Sequence, residues 1–326
     1  MHAIEVEQTN SGPQLVWREV DDPVLQSEQA LVSIHATTLN RADLSQAAGN
    51  YPPPPGAPNI MGLDMAGEII ECGDGVQGWQ VGDKVCALLA GGGYAEQVAV
   101  DQRLLMPIPT GWSWEEAASL PEVYLTAYVN IFMEAGFQPG ETILIHGGAS
   151  GVGTAAIQMA KEAGGRVITT AGRPDKVKTC RDQGADLAIN YRSEDFAERA
   201  REFTEGEGVD LILDMVGAEY LARNVSLLKV KGRLVFISTL GGAEATVNIG
   251  QLMGKRARLI GSVLRPRSIA EKEEIIGRFR QQFWDQIESG TIRPVIDCVL
   301  PVAEAHAAHQ RMAAYENIGK IVLKVR

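Results

Sequence analysis

Two textures of apolar and polar positions divide the 326-residue chain. Up to about residue 110 the apolar positions come in short runs. Leu31-Val32-Ser33-Ile34-His35-Ala36 alternates as a half-buried strand should, and Met65–Glu71 and Gln97–Val100 continue the β character between Gly-Asp and Gly-Gly turns. This spacing predicts a compact, mostly β, barrel-like module. Ser113-Trp114-Glu115-Glu116 is a capping box that starts a helix. Pro121 interrupts, a second helix is expected from about Glu122 to Ala135, and Gly136 can end it. From Glu141 the texture becomes βα alternation. Strands are expected over 142–146, 166–171, 187–191, 210–216, 233–238 and 259–264, with amphipathic helices between. That predicts an α/β fold with a doubly wound, parallel, six-stranded sheet covered on both faces. A long helix over 271–287, a short strand after Ile292, a helix over 303–315 and a strand over 321–325 follow. These have no place in a six-stranded sheet and are expected to return to the first module. Residues 1–120 and 266–326 then form one discontinuous domain, and residues 121–265 the other.

The stretch Glu141–Ala163 carries the first chemistry. Thr142-Ile143-Leu144-Ile145 suits a strand buried on both faces. It breaks into Gly147-Gly148-Ala149-Ser150-Gly151-Val152-Gly153. Beyond it Val152, Ala155, Ala156, Met159, Ala160 and Ala163 line one helical stripe. A pyrophosphate needs N–H groups pointing at it and no Cβ in the way, which a glycine-rich helix N-terminus supplies together with its positive dipole end. The spacing Gly148-x-x-Gly151-x-Gly153 differs from the commonest dinucleotide fingerprint, so the flanking strand and helix matter more than the glycines.

Composition narrows the classes. No apolar run approaches a membrane span, and no basic region followed by an apolar core opens the chain. Cys72, Cys86, Cys180 and Cys298 are scattered without a C-x-x-C pair, which predicts a reducing, cytoplasmic setting and gives the Asn224-Val225-Ser226 sequon no glycosylation meaning. A net charge of −11, from 41 acidic and 30 basic residues with no dense basic stripe, argues against a nucleic-acid partner.

In a doubly wound sheet the ligand lies outside the carboxyl ends of the strands, and an NAD-selective site wants an acid after the second strand. Here Thr169-Thr170-Ala171-Gly172-Arg173 has none, and Lys176 follows. A cationic pair would attract the 2′-phosphate that a carboxylate repels, so NADPH is expected. The alternative, that Arg173 and Lys176 are solvated helix-start charges with Asp175 between them, stays open. Tyr51-Pro52-Pro53-Pro54-Pro55-Gly56 is an extended loop, either a spacer or a stiff arm presenting Tyr51.

Several segments together resemble the medium-chain dehydrogenase/reductase superfamily. They are Leu39-Asn40-Arg41-Ala42-Asp43, Tyr51-Pro52-Pro53-Pro54, Gly62-Leu63-Asp64, Leu104–Pro109, Pro121-Glu122, His146–Gln158 and Asn317-Ile318-Gly319-Lys320-Ile321-Val322. Within the superfamily the chain is most similar to the zinc-free quinone oxidoreductase (zeta-crystallin-like) branch. The proline-rich loop and the glycine turn are most similar to its tumour-suppressor-inducible members. The resemblance implies a Rossmann dinucleotide-binding domain over 121–265 and a GroES-like catalytic domain from 1–120 and 266–326. Zinc-dependent relatives place a metal-ligating Cys where Asn40 stands and a His where Leu63 stands. They also carry four cysteines after the turn that is Gly82-Asp83-Lys84-Val85 here. An amide and an alkyl chain cannot replace thiolate and imidazole, so no metal is expected.

Carried over by position, the resemblance implies catalytic or cleft-facing roles for Tyr51, Asn40 and Asp43. It implies cofactor contacts from Tyr51, Thr126, Ser150, Gly151, Val152, Gly153, Gly172, Arg173, Lys176, Tyr191, Leu264, Arg265 and Asn317. Asp64 stands where relatives often carry Glu. His35 and His146 read as interior histidines, the His306/His309 pair as surface, and Cys72 and Cys86 as inert packing. The expected activity is zinc-independent hydride transfer from NADPH to a quinone by a homodimer joined around 259–264. The rivals are an enone or enoyl double-bond reductase and a low-turnover NADPH-binding structural or regulatory protein.

Overall fold

The computed structural model describes every residue of the chain except Ser11. The chain divides into two compact units, Met1–Leu125 with Leu264–Arg326, and Thr126–Val263. The divisions fall at 125/126 and 263/264 rather than at 120/121 and 265/266. Pro121–Leu125 and Leu264–Arg265 therefore go with the first unit.

The first unit opens with a hairpin, β1 (His2–Thr9) and β2 (Gly12–Glu19), tied on by the Ala3–Ala95 bridge. Then come β3 (Gln29–Thr38), α1 (Arg41–Ala47), β4 (Asp64–Cys72), β5 (Lys84–Leu88), β6 (Gln97–Asp101) and β7 (Leu105–Pro107). β3, β4, β5 and β7 pair in that order, and β6 pairs with β3. The alternation read in the sequence holds in part: Val32, Ile34 and Ala36 are fully buried on β3 and Leu31 and His35 are half-buried, but Ser33 is buried as well. α2 (Trp114–Ala118) starts at the expected capping box, with Ser113 Oγ accepting from Glu116 N at 3.2 Å and Glu116 Oε2 accepting from Ser113 N at 2.9 Å. Pro121 opens α3 (Pro121–Tyr128), where a missing N–H costs nothing. The expected single helix to Ala135 instead widens into a π-helical turn over Val129–Glu134.

The second unit is one parallel sheet. Its strands are β8 (Thr142–Ile145), β9 (Arg166–Ala171), β10 (Leu187–Asn190), β11 (Val209–Asp214), β12 (Leu228–Phe236) and β13 (Arg258–Gly261), in the order β10-β9-β8-β11-β12-β13. The reversal beside β8 is the switch point where open α/β sheets bind ligands. The helices are α4 (Gly151–Glu162), α5 (Pro174–Asp182), α6 (Phe196–Phe203), α7 (Leu221–Leu227) and α8 (Ile249–Lys255). Two strands differ from expectation. β12 begins five residues before Arg233, and its pairing with β11 shifts register between Val209 and Leu211. β13 ends at Gly261, so Leu264 lies beyond the sheet. On α4 burial is wider than one stripe: every residue from Gly153 to Ala160 is buried, as small side chains allow.

The tail returns to the first unit as expected, through α9 (Ile269–Glu288), β14 (Ile296–Pro301), α10 (Ala305–Ala313) and β15 (Lys320–Lys324). β14 pairs with β15, and β15 runs antiparallel to β3 with Val322 opposite Thr38.

Candidate active site

In the second unit, the β8–α4 turn packs tightly against the strands. A Cβ on Gly148 would lie 1.8 Å from Thr169 Oγ1, and one on Gly153 would lie 2.3 Å from the Gly147 carbonyl oxygen. Only glycine lets the helix start this close to the strands. Gly147 takes φ +65°. Ser150 is the N-cap, its Oγ accepting from Gly153 N at 3.0 Å. The Gly153 N–H is thus taken up by the cap, and its missing Cβ permits the close approach. The first-turn N–H groups of Gly151 and Val152 have no acceptor within the helix and remain for an anion, next to the positive dipole end.

The ends of β9 and β10 form the adjoining wall. A Cβ on Gly172 would meet Tyr191 Oη at 2.5 Å, so the bare backbone of Gly172 is what the phenol lies against. Tyr191 follows the end of β10 at Asn190 rather than closing the strand, and it is partly exposed. Arg173 grips Asp175 in a bidentate pair, Nε to Oδ1 at 3.1 Å and Nη2 to Oδ2 at 2.8 Å. That bond, with the Asp175 backbone contacts, holds the Asp175 carboxyl below its ordinary range. Arg173 and Lys176 both stay half-buried beside the turn. Thr126 is half-buried on α3, its carbonyl accepting from Asn130 Nδ2 at 2.7 Å just before the π turn.

Behind the turn runs a buried polar chain. Asp214 Oδ2 accepts from Asn224 Nδ2 at 3.0 Å, Asn224 Oδ1 lies 2.9 Å from His146 Nε2, and His146 Nδ1 lies 3.1 Å from Thr170 Oγ1. Burial drives His146 down to about 4 and lifts Asp214 to about 6. A neutral imidazole wedged between Phe196 and Tyr220 is a structural strut, as expected of an interior histidine.

The first unit brings Asn40 and Asp43 together with Asp64. Asn40 caps α1, and its N–H donates to Asp43 Oδ2 at 2.7 Å. The partners of Asp64 are definite. Thr38 Oγ1 donates to Oδ1 at 2.5 Å, Asn40 Nδ2 donates to Oδ2 at 3.0 Å, and Lys320 Nζ donates to Oδ2 at 3.3 Å. Lys320 also reaches Asn40 Oδ1 at 2.7 Å and Leu39 O at 3.0 Å. Asp43 is fully buried, and burial lifts its carboxyl to about 7 despite the Asn40 N–H. Its Oδ2 also accepts from Tyr94 Oη at 3.2 Å, while Oδ1 has no hydrogen-bond partner among the described residues. Glu122, whose Oε2 is closed off from solvent, is pushed up to about 8 by burial and then by Asp64.

Tyr51 is half-buried at the proline loop, its ring 5.1 Å from the Arg265 guanidinium carbon. Burial raises the phenol above its usual range. Arg265 donates within its own unit, to Ala90 O at 2.8 Å, Tyr51 O at 3.3 Å and Gln46 Oε1 at 2.8 Å. This guanidinium thus braces the Tyr51 loop. Leu264 is buried beside it, and Asn317 closes a local turn through Nδ2 to Gly319 O at 2.9 Å. The surface assignment of His309 is overturned. It is 8% exposed, 3.3 Å from Tyr94 Oη, because α10 lays that face on the core, and burial lowers it to about 4. His306 stays near the surface with Gln310. Sequence reading missed Lys320, Tyr94 and Glu122 as members of the cluster. Only the Gly319-Lys320 and Pro121-Glu122 pairs hinted at two of them.

Residues 26–110 match the alcohol dehydrogenase GroES-like domain family, and residues 151–279 match the zinc-binding dehydrogenase family. The family name implies zinc, and the residues present do not fit it. Asn40 offers a neutral amide, Leu63 offers nothing, and both oxygens of Asp64 are already engaged. Among the described residues no group of three or more His, Cys, Asp or Glu could hold a metal ion. The chain is 31% identical to the mouse quinone oxidoreductase over 96% of this chain and 94% of that one, and 30% identical to the rat protein with the same coverage. Among solved structures, an NAD-dependent alcohol dehydrogenase and a mycobacterial protein complexed with NADPH each superpose with a TM-score of 0.88 at 29% identity, covering all of both chains. The CurK enoyl reductase follows at 0.85 and 28%, covering 100% of this chain and 99% of that one. A two-module chain with a glycine-turn dinucleotide cradle and near-full-length quinone oxidoreductase relatives belongs to the medium-chain dehydrogenase/reductase superfamily, in its quinone oxidoreductase branch.

Proposed function

We propose that the protein is an NADPH-dependent, zinc-independent oxidoreductase that delivers hydride to a quinone. The observation that carries this reading is the filling of the metal position: an amide, a leucine and a lysine-engaged carboxylate stand where zinc-dependent relatives hold zinc. Without a Lewis acid to stabilise an alkoxide, alcohol oxidation loses its main electrostatic aid, and an acceptor that is already electron-poor is favoured.

When bound, the nicotinamide supplies the hydride. The chain's own residues bind and orient. Gly151 and Val152 N–H groups hold the pyrophosphate, with Ser150 capping the turn, and Gly172 and Tyr191 line the adenosine side. Arg173 and Lys176 meet the 2′-phosphate, with Arg173 releasing part of its exposed Asp175 pair to do so. Exposed pairs are worth little, so a phosphate dianion can displace this one. Thr126, Asn317 and the Leu264 backbone serve the remaining cofactor contacts. Tyr51 and Asn40 donate hydrogen bonds to the acceptor's oxygens, while Asp43 holds Asn40 in place. A hydroquinone anion is weakly basic, so solvent can return the proton.

A steady-state panel tests the acceptor: quinones are expected to be turned over in preference to enones, and a hundredfold enone preference, on the order seen when binding energy is redirected, would refute the quinone assignment. The enoyl reductase neighbour makes that the second reading. Tight NADPH binding with no oxidation by any acceptor would instead favour a regulatory protein. For the cofactor, Arg173→Ala/Lys176→Ala is expected to lower the NADPH over NADH ratio of kcat/KM at least about tenfold. An unchanged ratio sinks the assignment.

A further inference from the structure

Lys320 is a buried cation to which the scheme above gives no role in the reduction itself. It is 3% exposed and opens β15 directly after Gly319, whose φ of +74° lets the chain turn inward. Its ammonium has three hydrogens and finds three acceptors: Leu39 O, Asn40 Oδ1 and Asp64 Oδ2. Burying an ion pair seldom gains stability over an apolar pair of the same volume, so stability alone does not account for a lysine here.

What the lysine does uniquely is orient an amide. Lys has donors and no acceptor, so only the oxygen of Asn40 can face it. Asn40 Nδ2 then gives one hydrogen to Asp64 Oδ2 at 3.0 Å, the same oxygen that accepts from Lys320 at 3.3 Å. Its second hydrogen has no partner among the described residues, and the cation sits on the oxygen of the same amide.

We propose that Lys320 is a positioning residue for the reduction: it locks the Asn40 amide so that one N–H is left to donate to the acceptor's oxygen as charge develops there. Its positive charge thereby stands beside the position at which zinc-dependent relatives carry a metal ligand. The proposal rests on the reading of the protein as a reductase, and the test separates the two. Lys320→Met, Lys320→Arg and Asp64→Asn/Lys320→Met are compared with the wild type for kcat and KM, with 1,4-naphthoquinone and NADPH as probes, and for Tm. Lys320→Met is expected to lower kcat about a hundredfold, the effect of losing one preorganised donor, with the KM for NADPH little changed. Lys320→Arg recovers most of kcat. The double variant, which removes both charges, recovers Tm and keeps the low kcat. If kcat returns together with Tm, the lysine is structural and the proposal fails. If the wild type reduces neither quinones nor enones, the functional reading falls, and the side-chain amide resonances of Asn40 decide the geometry. Shifted in Lys320→Met and restored in Lys320→Arg, they uphold the lock. Unmoved in Lys320→Met, they overturn it.

Discussion

Asp43 shows how one side chain sets a pH dependence. Burial lifts its carboxyl from 3.8 to about 7, so the folded chain holds this proton more tightly than the unfolded chain does. The stability it contributes is complete below about pH 4 and is lost as the pH rises toward 7, where the buried group must ionise beside Asp64. Asp43→Asn keeps an acceptor for the Asn40 N–H and removes the titration. Its unfolding free energy should lack a decline on the order of a few kcal/mol between pH 4 and 7, measured by urea melts at each pH. An identical slope in the variant would show that Asp43 does not titrate there. The glycines make a second residue-scale contrast. Gly148→Ala drives a methyl into Thr169 Oγ1, a fully buried β-branched side chain that itself bonds to Ile145 O at 2.8 Å. The expected cost is about 3 kcal/mol, the upper end for overpacking, together with lost cofactor binding. Gly172→Ala meets only the far end of Tyr191, which can swing away, so stability is nearly kept while cofactor affinity falls. Equal Tm values for the two variants would contradict this difference.

Elements depend on longer ties than their own patterns suggest. The π turn that ends at Glu134 leaves carbonyls of Ala135 and Gly136 at the mouth of β12. Arg233 collects them, with Nε to Ala135 O at 3.0 Å and Nη1 and Nη2 to Glu141 at 2.8 and 2.6 Å. Its side chain is 9% exposed and that of Glu141 22%, so removing one partner strands a largely desolvated charge. Arg233→Met should lose about 3 kcal/mol of stability, and Arg233→Met/Glu141→Leu should regain most of it, both measured by chemical denaturation. If the single variant is neutral, the tie is ornamental. Nothing in the 122–135 pattern announced the widened turn. The helix itself was legible from Pro121 at its start and Gly136 at its end.

At the scale of the molecule, β13 is an edge strand, and large apolar side chains stand exposed on and near it: Leu259 at 37%, Val263 at 55% and Met253 at 73%. An open apolar edge invites a second strand. The homodimer that the resemblance implies would pair β13 with β13 of a second copy. Leu259→Lys/Val263→Lys is expected to shift the mass in size-exclusion with light scattering from two chains to one. A monomeric wild type removes the claim.

The strands, the glycine turn and the absence of an acid in Thr169–Arg173 were legible in the chain, because each is a local pattern whose physics acts within a few residues; the missing zinc ligands were legible only through the family resemblance. The return of the tail was legible too, since strands beyond the sixth need another sheet. The buried cluster was not. Thr38, Asn40, Asp64 and Lys320 lie up to 282 positions apart, a span read from the numbering of Thr38 and Lys320. Only the pairing of β15 with β3 sets the ammonium against the amide. His309 likewise reads as surface from its helical neighbours until α10 is seen lying on the core. Periodicity assigns a face, and packing decides what that face meets. The sequence therefore determined the kind of cofactor turn and which side chains stand at positions 40 and 63. The tertiary structure decided which cation came to lie beside Asn40, because charge acts through space over a few ångströms whatever the separation along the chain.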